Sequence, residues 1–100
     1  MVLAENQSIE DATLHRIHRQ ILLIHEVDQA IRKGLSSGRF RFTYWPMTGQ
    51  EAIAACAGVL LNSDDYLVTT YRGIHDLVAK GVPLPRLFAE MMGREDGVNK

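Results

Sequence analysis

The chain is 100 residues long, 46% hydrophobic and 23% charged, with a formal net charge of -1, a balance that argues against disorder. That length holds at most one small domain and is short for a multi-stranded parallel sheet, and near-neutrality gives no field that favours nucleic acid or anionic lipid. A single cysteine, Cys56, excludes an internal disulfide framework and fits a reducing compartment, and no stretch is long and uncharged enough to span a membrane, so a cytoplasmic protein is expected.

Ser8 and Asp11 have the spacing of a capping box and predict the start of a long helix that runs to about Lys33, with Gly34 as a left-handed cap. Leu14, Ile17, Ile21, Ile24, Val27 and Ile31 step by three or four and share one face, which needs a cover. His15, His18 and His25 lie beside that stripe. The gap from His18 to His25 is about two turns, roughly 10 Å of helix, so one metal cannot reach all three without another ligand, and a half-exposed flank is expected instead.

GLSSG at 34–38 predicts a turn. Phe40, Phe42 and Tyr44 then alternate with Arg39, Arg41 and Thr43, the period of a half-buried extended segment that ends before Pro46. Two arginines among these aromatics are too few for a single-stranded nucleic acid platform. Thr48 and Glu51 repeat the capping-box spacing, and that position accounts for Glu51 without a catalytic role. The helix they open, Thr48 to Leu61, carries Ala52, Ala54, Ala55, Ala57 and Gly58, so a neighbouring backbone can come close. Cys56 reads as a small packed thiol within it, and Val59, Leu60 and Leu61 as its core end.

Asn62 to Asp65 form a turn, and Tyr66 to Thr70, β-branched and apolar, predict the one strand. Tyr71, Arg72 and Gly73 follow it directly. In α/β sheets ligands gather at the carboxyl ends of strands, where Arg72 offers a two-pronged set of donors to a phosphate, Tyr71 adds a hydroxyl, and Gly73 lets backbone approach. Spacing alone equally allows Arg72 to pair with Asp76. A short helix from Ile74 to Lys80 stops at Gly81, and Pro85 opens a last one whose Leu87, Phe88, Met91 and Met92 form an apolar stripe before Gly93.

Three runs, GQEA from Gly49, DDYLVTTYRG from Asp64 and AKGVPLPRLFAEMMGREDG from Ala79, resemble in order and spacing the amino-terminal part of the alpha subunit of thiamine-diphosphate-dependent 2-oxo acid dehydrogenases. The resemblance implies an incomplete thiamine-diphosphate-binding fold of the α/β class that is mostly helical here: a helical arm over 1–38 and a partial diphosphate-side domain over 39–100. It implies that Tyr71 and Arg72 contact the cofactor's diphosphate, with Gly73 and His75 as possible lining. Two departures stand out. Thr43, Tyr44 and Trp45 occupy the stretch where family members often carry a histidine, and Ile74 stands where many have one, with His75 a place later.

The family's later Gly-Asp-Gly motif, which holds magnesium, does not occur in these residues, and its cofactor-activating glutamate comes from the beta subunit. Magnesium ligands are therefore expected outside this chain, and the beta subunit or the remainder of the alpha subunit is the expected partner in an oligomer. The resemblance implies an oxidative decarboxylase in which this chain alone is inactive. Two other readings are a noncatalytic helical module that docks on a partner through its long helix, and a small metal-binding protein that uses the histidine stripe.

Overall fold

A computed structural model describes residues 9–99. Four helices carry the fold: α1 (Asp11–Ser36), α2 (Glu51–Leu60), α3 (Ile74–Lys80) and α4 (Leu84–Met91). The 26 residues of α1 amount to about 39 Å of helix, most of the molecule's 50 Å length. Its apolar stripe lies on one face as the spacing predicts, and the cover thins toward the amino end: Ile24, Val27 and Ile31 are buried, Ile17 and Ile21 are half-buried against the core, and Leu14 is 47% exposed. The cover comes from α2 and α3, whose small residues allow it. Ala54, Ala55, Val78 and Ala79 join the α1 residues, Met47 and Leu87 in a single core.

Both ends of α1 differ from the sequence expectation. Ser8 lies outside the described residues, and the residue before the first turn is Glu10, without a side-chain cap. At the other end the helix continues through Gly34 to Ser36, and the left-handed residue is Gly38, at φ 80°. Gly34 is needed for another reason. It is buried against the ring of Phe40, and a Cβ there would lie 2.8 Å from that ring's Cγ, inside contact distance. Phe40 in turn packs on Phe42 and on Phe88 of α4, with ring centroids 5.5 and 5.7 Å away, which ties the last helix to the end of the first.

Residues 39–46 keep the expected alternation, with Phe40, Phe42 and Tyr44 half-buried and Arg39, Arg41 and Thr43 exposed, but they pair with no strand. On α2 the buried residues Glu51, Ala54, Ala55 and Val59 define the covered side. Cys56 falls on the opposite side and is exposed, contrary to the packed thiol expected from the sequence, and of the expected core end Val59 is buried and Leu61 half-buried while Leu60, like Ile53, is exposed. The reason is that α2 is apolar all round, so periodicity does not select the side that packs. Its close approach is real: a Cβ on Gly58 would sit 2.6 Å from the Ala79 carbonyl oxygen.

The expected strand Tyr66 to Thr70 is absent, and no strand occurs among the described residues. Tyr66 and Val68 are almost fully exposed. A strand is stabilised by its neighbours, and this segment has none to satisfy its backbone groups, so β-propensity alone does not form one. The architecture of the described residues is therefore helical. The α3 terminus follows the sequence: Gly81 takes φ 97°, and the Val82 N–H donates to the Leu77 carbonyl in a Schellman closure.

Candidate functional site

The segment that carries Tyr71 and Arg72 is a tight turn. The Gly73 N–H donates to the Thr70 carbonyl at 3.0 Å, so Tyr71 and Arg72 occupy its two central positions and project outward. The base of the turn is braced by the Thr69 hydroxyl, which donates to Asp76 on α3. Gly73 is buried at φ -92°, and a Cβ there would run into the Thr69 side chain. The absent side chain thus serves close packing with Thr69, and Gly73 borders no open space for a ligand's approach.

That brace engages the acid that the sequence offers to Arg72. Asp76 is engaged by Thr69 and lies 3.8 Å from His75 Nε2, and among the described residues no carboxylate lies within 4 Å of Arg72. The guanidinium instead stands over the indole of Trp45, 5.5 Å from the ring centroid. The Tyr71 ring meets the same indole edge-on at 6.3 Å. Phe42, Thr43, Tyr44, Ile74 and Met91 complete, with these three, a cleft of about 160 Å³. His75 does not line it: its ring is largely buried beside Asp76, with Nδ1 lacking a hydrogen-bond partner.

A second polar cluster, which periodicity did not single out, fixes the far wall of this cleft. Asp28 is fully buried on α1, between Ile24 and Ile31 on the core face. Its carboxylate accepts from the Tyr44 hydroxyl, from Thr48 Oγ1 at 3.1 Å and from the Met47 N–H at 3.4 Å, and pairs with Arg32 Nε at 3.0 Å. Arg32 also donates to Thr48 Oγ1 at 2.6 Å. The signal available in the sequence was an acid inside the apolar register with an arginine four residues on. The Thr48 hydroxyl is thereby taken and the expected capping box does not form: α2 begins at Glu51 after Gln50, without a side-chain cap, and the Glu51 carboxylate accepts from the Gly49 N–H at 2.7 Å rather than from that of Thr48.

Burial alone would raise the Asp28 carboxyl, but the hydrogen bonds from Tyr44, Met47 and Thr48, with the Arg32 charge, outweigh it and hold it below the usual range. Burial and the adjacent carboxylate push the Tyr44 hydroxyl well up, so it remains the donor. Glu51 is held low by its own backbone N–H, then, against burial, by the Gly49 N–H and by His25, whose Nδ1 is 3.5 Å away. Both depressed carboxyls contribute stability that is present above their unfolded values, about 3.9 and 4.3, and is lost as pH falls through the lower folded ones. Urea unfolding midpoints are expected to drop on acidification below about pH 4, and less steeply in Asp28→Asn. Equal slopes in the two proteins would refute the assignment to Asp28.

His15 and His18 are exposed, and no cluster of three or more His, Cys, Asp or Glu side chains that could hold a metal occurs among the described residues. No helix among them is long and apolar enough to cross a membrane. A family model described as "Dehydrogenase E1 component" matches residues 19–100. Among curated proteins, the pyruvate dehydrogenase E1 component subunit alpha of Porphyra purpurea is 40% identical over 52 residues, which is 52% of this chain and 15% of that protein. The mitochondrial subunits of the same name from Dictyostelium discoideum, 34% identical over 53 residues, and Pisum sativum, 38% over 52, match over 53% and 52% of this chain. The matched stretch thus spans 13–15% of these relatives' length. No solved structure matches the chain.

Proposed function

The chain belongs to the dehydrogenase E1 component family, and from that premise we propose that it is the part of a thiamine-diphosphate-dependent 2-oxo acid dehydrogenase alpha subunit that holds the cofactor's diphosphate, with Tyr71 and Arg72 as the contacts. The observation that carries this reading is the state of Arg72: it sits at the tip of a braced turn, its nearest acid in sequence is occupied by Thr69, and its charge faces a cleft. A guanidinium placed so can donate two parallel hydrogen bonds to a diphosphate, and the exposed Tyr71 hydroxyl adds a third donor.

The cofactor, when bound, supplies the carbanion-stabilising chemistry of decarboxylation. The role of these residues is to bind and orient its anionic end. Magnesium does not fit the side chains described here, because it requires several convergent oxygen ligands that they do not provide. Its ligands, the α/β sheet in which Tyr66 to Thr70 would find strand partners, and the proton-transfer groups belong in this reading to the assembled enzyme with its beta subunit.

Arg72→Ala is expected to weaken binding of thiamine diphosphate with magnesium in the assembled enzyme by at least tenfold, about 1.4 kcal/mol or more. Calorimetry checks it, and unchanged affinity would overturn the reading. A second reading, a noncatalytic module that docks on a partner, draws on Leu14 and Leu22 in the amino half of α1, which are 47% and 49% exposed. It predicts a complex in solution and no heat on titration with cofactor and magnesium.

A further inference from the structure

Both candidate contacts touch one side chain. Arg72 lies over the Trp45 indole and the Tyr71 ring meets it in a T-shaped contact, and Trp45 is the only tryptophan in the chain. The residues that flank Trp45 are anchored on both sides. Tyr44 donates to Asp28 on one side, and on the other the Met47 N–H and the Thr48 hydroxyl donate to the same buried carboxylate. Pro46, between those anchors, narrows the backbone freedom of Trp45 further. The indole thus rises from an anchored stretch of backbone beside a long, exposed, flexible side chain.

We propose that Trp45 is a positioning residue for Arg72, fixing the guanidinium for an incoming phosphate group. The proposal rests on the reading of Arg72 as the anion contact. A guanidinium has two kinds of surface: its faces, which are weakly hydrated and attracted to an aromatic π cloud, and its edges, which carry all five N–H donors in one plane. The Arg72 guanidinium carbon stands 5.5 Å from the indole centroid, close enough for that attraction, and among the described residues no carboxylate within 4 Å engages its N–H donors. That contact removes much of the rotamer freedom that an anion would otherwise have to restrain, and it does so before the anion arrives. Trp45 makes no contact with the anion in this arrangement, so its effect passes through Arg72 alone.

The test uses the full chain with inorganic pyrophosphate as the probe, followed through the Nε–H resonance of Arg72 and, for variants without that arginine, through shifts of the backbone amides of the turn. Trp45→Ala and Trp45→Leu, the second filling the space without a π face, are each expected to raise the pyrophosphate dissociation constant roughly threefold, while Trp45→Phe keeps most of the affinity. Arg72→Ala raises it at least tenfold, and Trp45→Ala added to Arg72→Ala causes no further loss, because a residue acting through another has nothing left to act on. Wild-type affinity in Trp45→Leu, or an undiminished Trp45 effect without Arg72, would overturn the positioning role and leave the anion site standing. Absence of pyrophosphate binding by the wild-type chain, or affinity unchanged in Arg72→Ala, would remove the site and the proposal together.

Discussion

Asp28→Ala is expected to lower the free energy of unfolding by about 3–5 kcal/mol, the largest effect of any single polar substitution in the chain. The carboxylate is fully buried and is the common acceptor for Tyr44, Met47, Thr48 and Arg32. Its removal strips partners from a half-buried hydroxyl and a buried backbone N–H at once, each of which costs about 1–3 kcal/mol when left unsatisfied. Arg32 contributes less to that cost, because its side chain is 43% exposed and water can replace the lost partner. Tyr44→Phe, which removes one donor and leaves the others, should cost only about 1 kcal/mol. Chemical denaturation followed by helical circular dichroism gives both numbers. A loss below about 1 kcal/mol for Asp28→Ala would mean that the 39–50 segment is not anchored through this carboxylate.

The same residue shows where sequence reading reaches its limit. The stripe Ile24, Val27 and Ile31 was legible because burial on a helix repeats with a fixed period, and the structure buries those three. Asp28 shares their face, but its partners Tyr44 and Thr48 are 16 and 20 residues away, joined to it by a chain reversal that no local pattern encodes. Gly34 failed for a related reason. A glycine after an apolar run signals a left-handed cap, yet here it answers to Phe40, which folds back onto the helix. Where the need was local, as at Gly81 with its φ of 97°, the signal was sufficient.

Residues of the candidate site divide in the same way. Tyr71 and Arg72 were singled out from their position after an apolar segment, and the structure does place both on the wall of one cleft. The element that was to present them is not a strand but a hydrogen-bonded turn, because a lone extended segment has no sheet to join. Gly73 was expected to let backbone approach a ligand and His75 to line the site by the family resemblance, and both turn inward, one against Thr69 and the other beside Asp76. Trp45 was noted only for what it replaced in the family pattern. Its contact with Arg72 spans 27 positions and needs both the turn at 70–73 and the anchored loop at 44–48 to be in place.

Gly58→Val is expected to cost about 3 kcal/mol, and the sign of the smaller change Gly58→Ala tests the reason. Helix propensity alone favours alanine over glycine in the last turn of α2 by up to about 1 kcal/mol. Against that, the added Cβ would meet the carbonyl oxygen of Ala79 at 2.6 Å and its carbonyl carbon at 2.9 Å. Those are backbone atoms of α3, so no rotamer change can relieve the contact, and the two helices must separate. Overpacking of this kind costs about 1–3 kcal/mol, which outweighs the propensity gain and makes even alanine destabilising. Valine adds two more methyl groups and a stiffer side chain. Ala79→Gly is expected not to rescue either variant, because it removes the Ala79 Cβ but leaves the carbonyl in place. Cys56→Val, two residues away on the exposed side of α2, should stay within about 0.5 kcal/mol of wild type. A stabilised Gly58→Ala would show that α2 and α3 do not meet backbone to side chain at this point. The turn carrying Arg72 hangs from the amino end of α3 through Thr69 and Asp76, so a shift of α3 also displaces the cleft, and Gly58→Val is expected to weaken anion binding without touching the site.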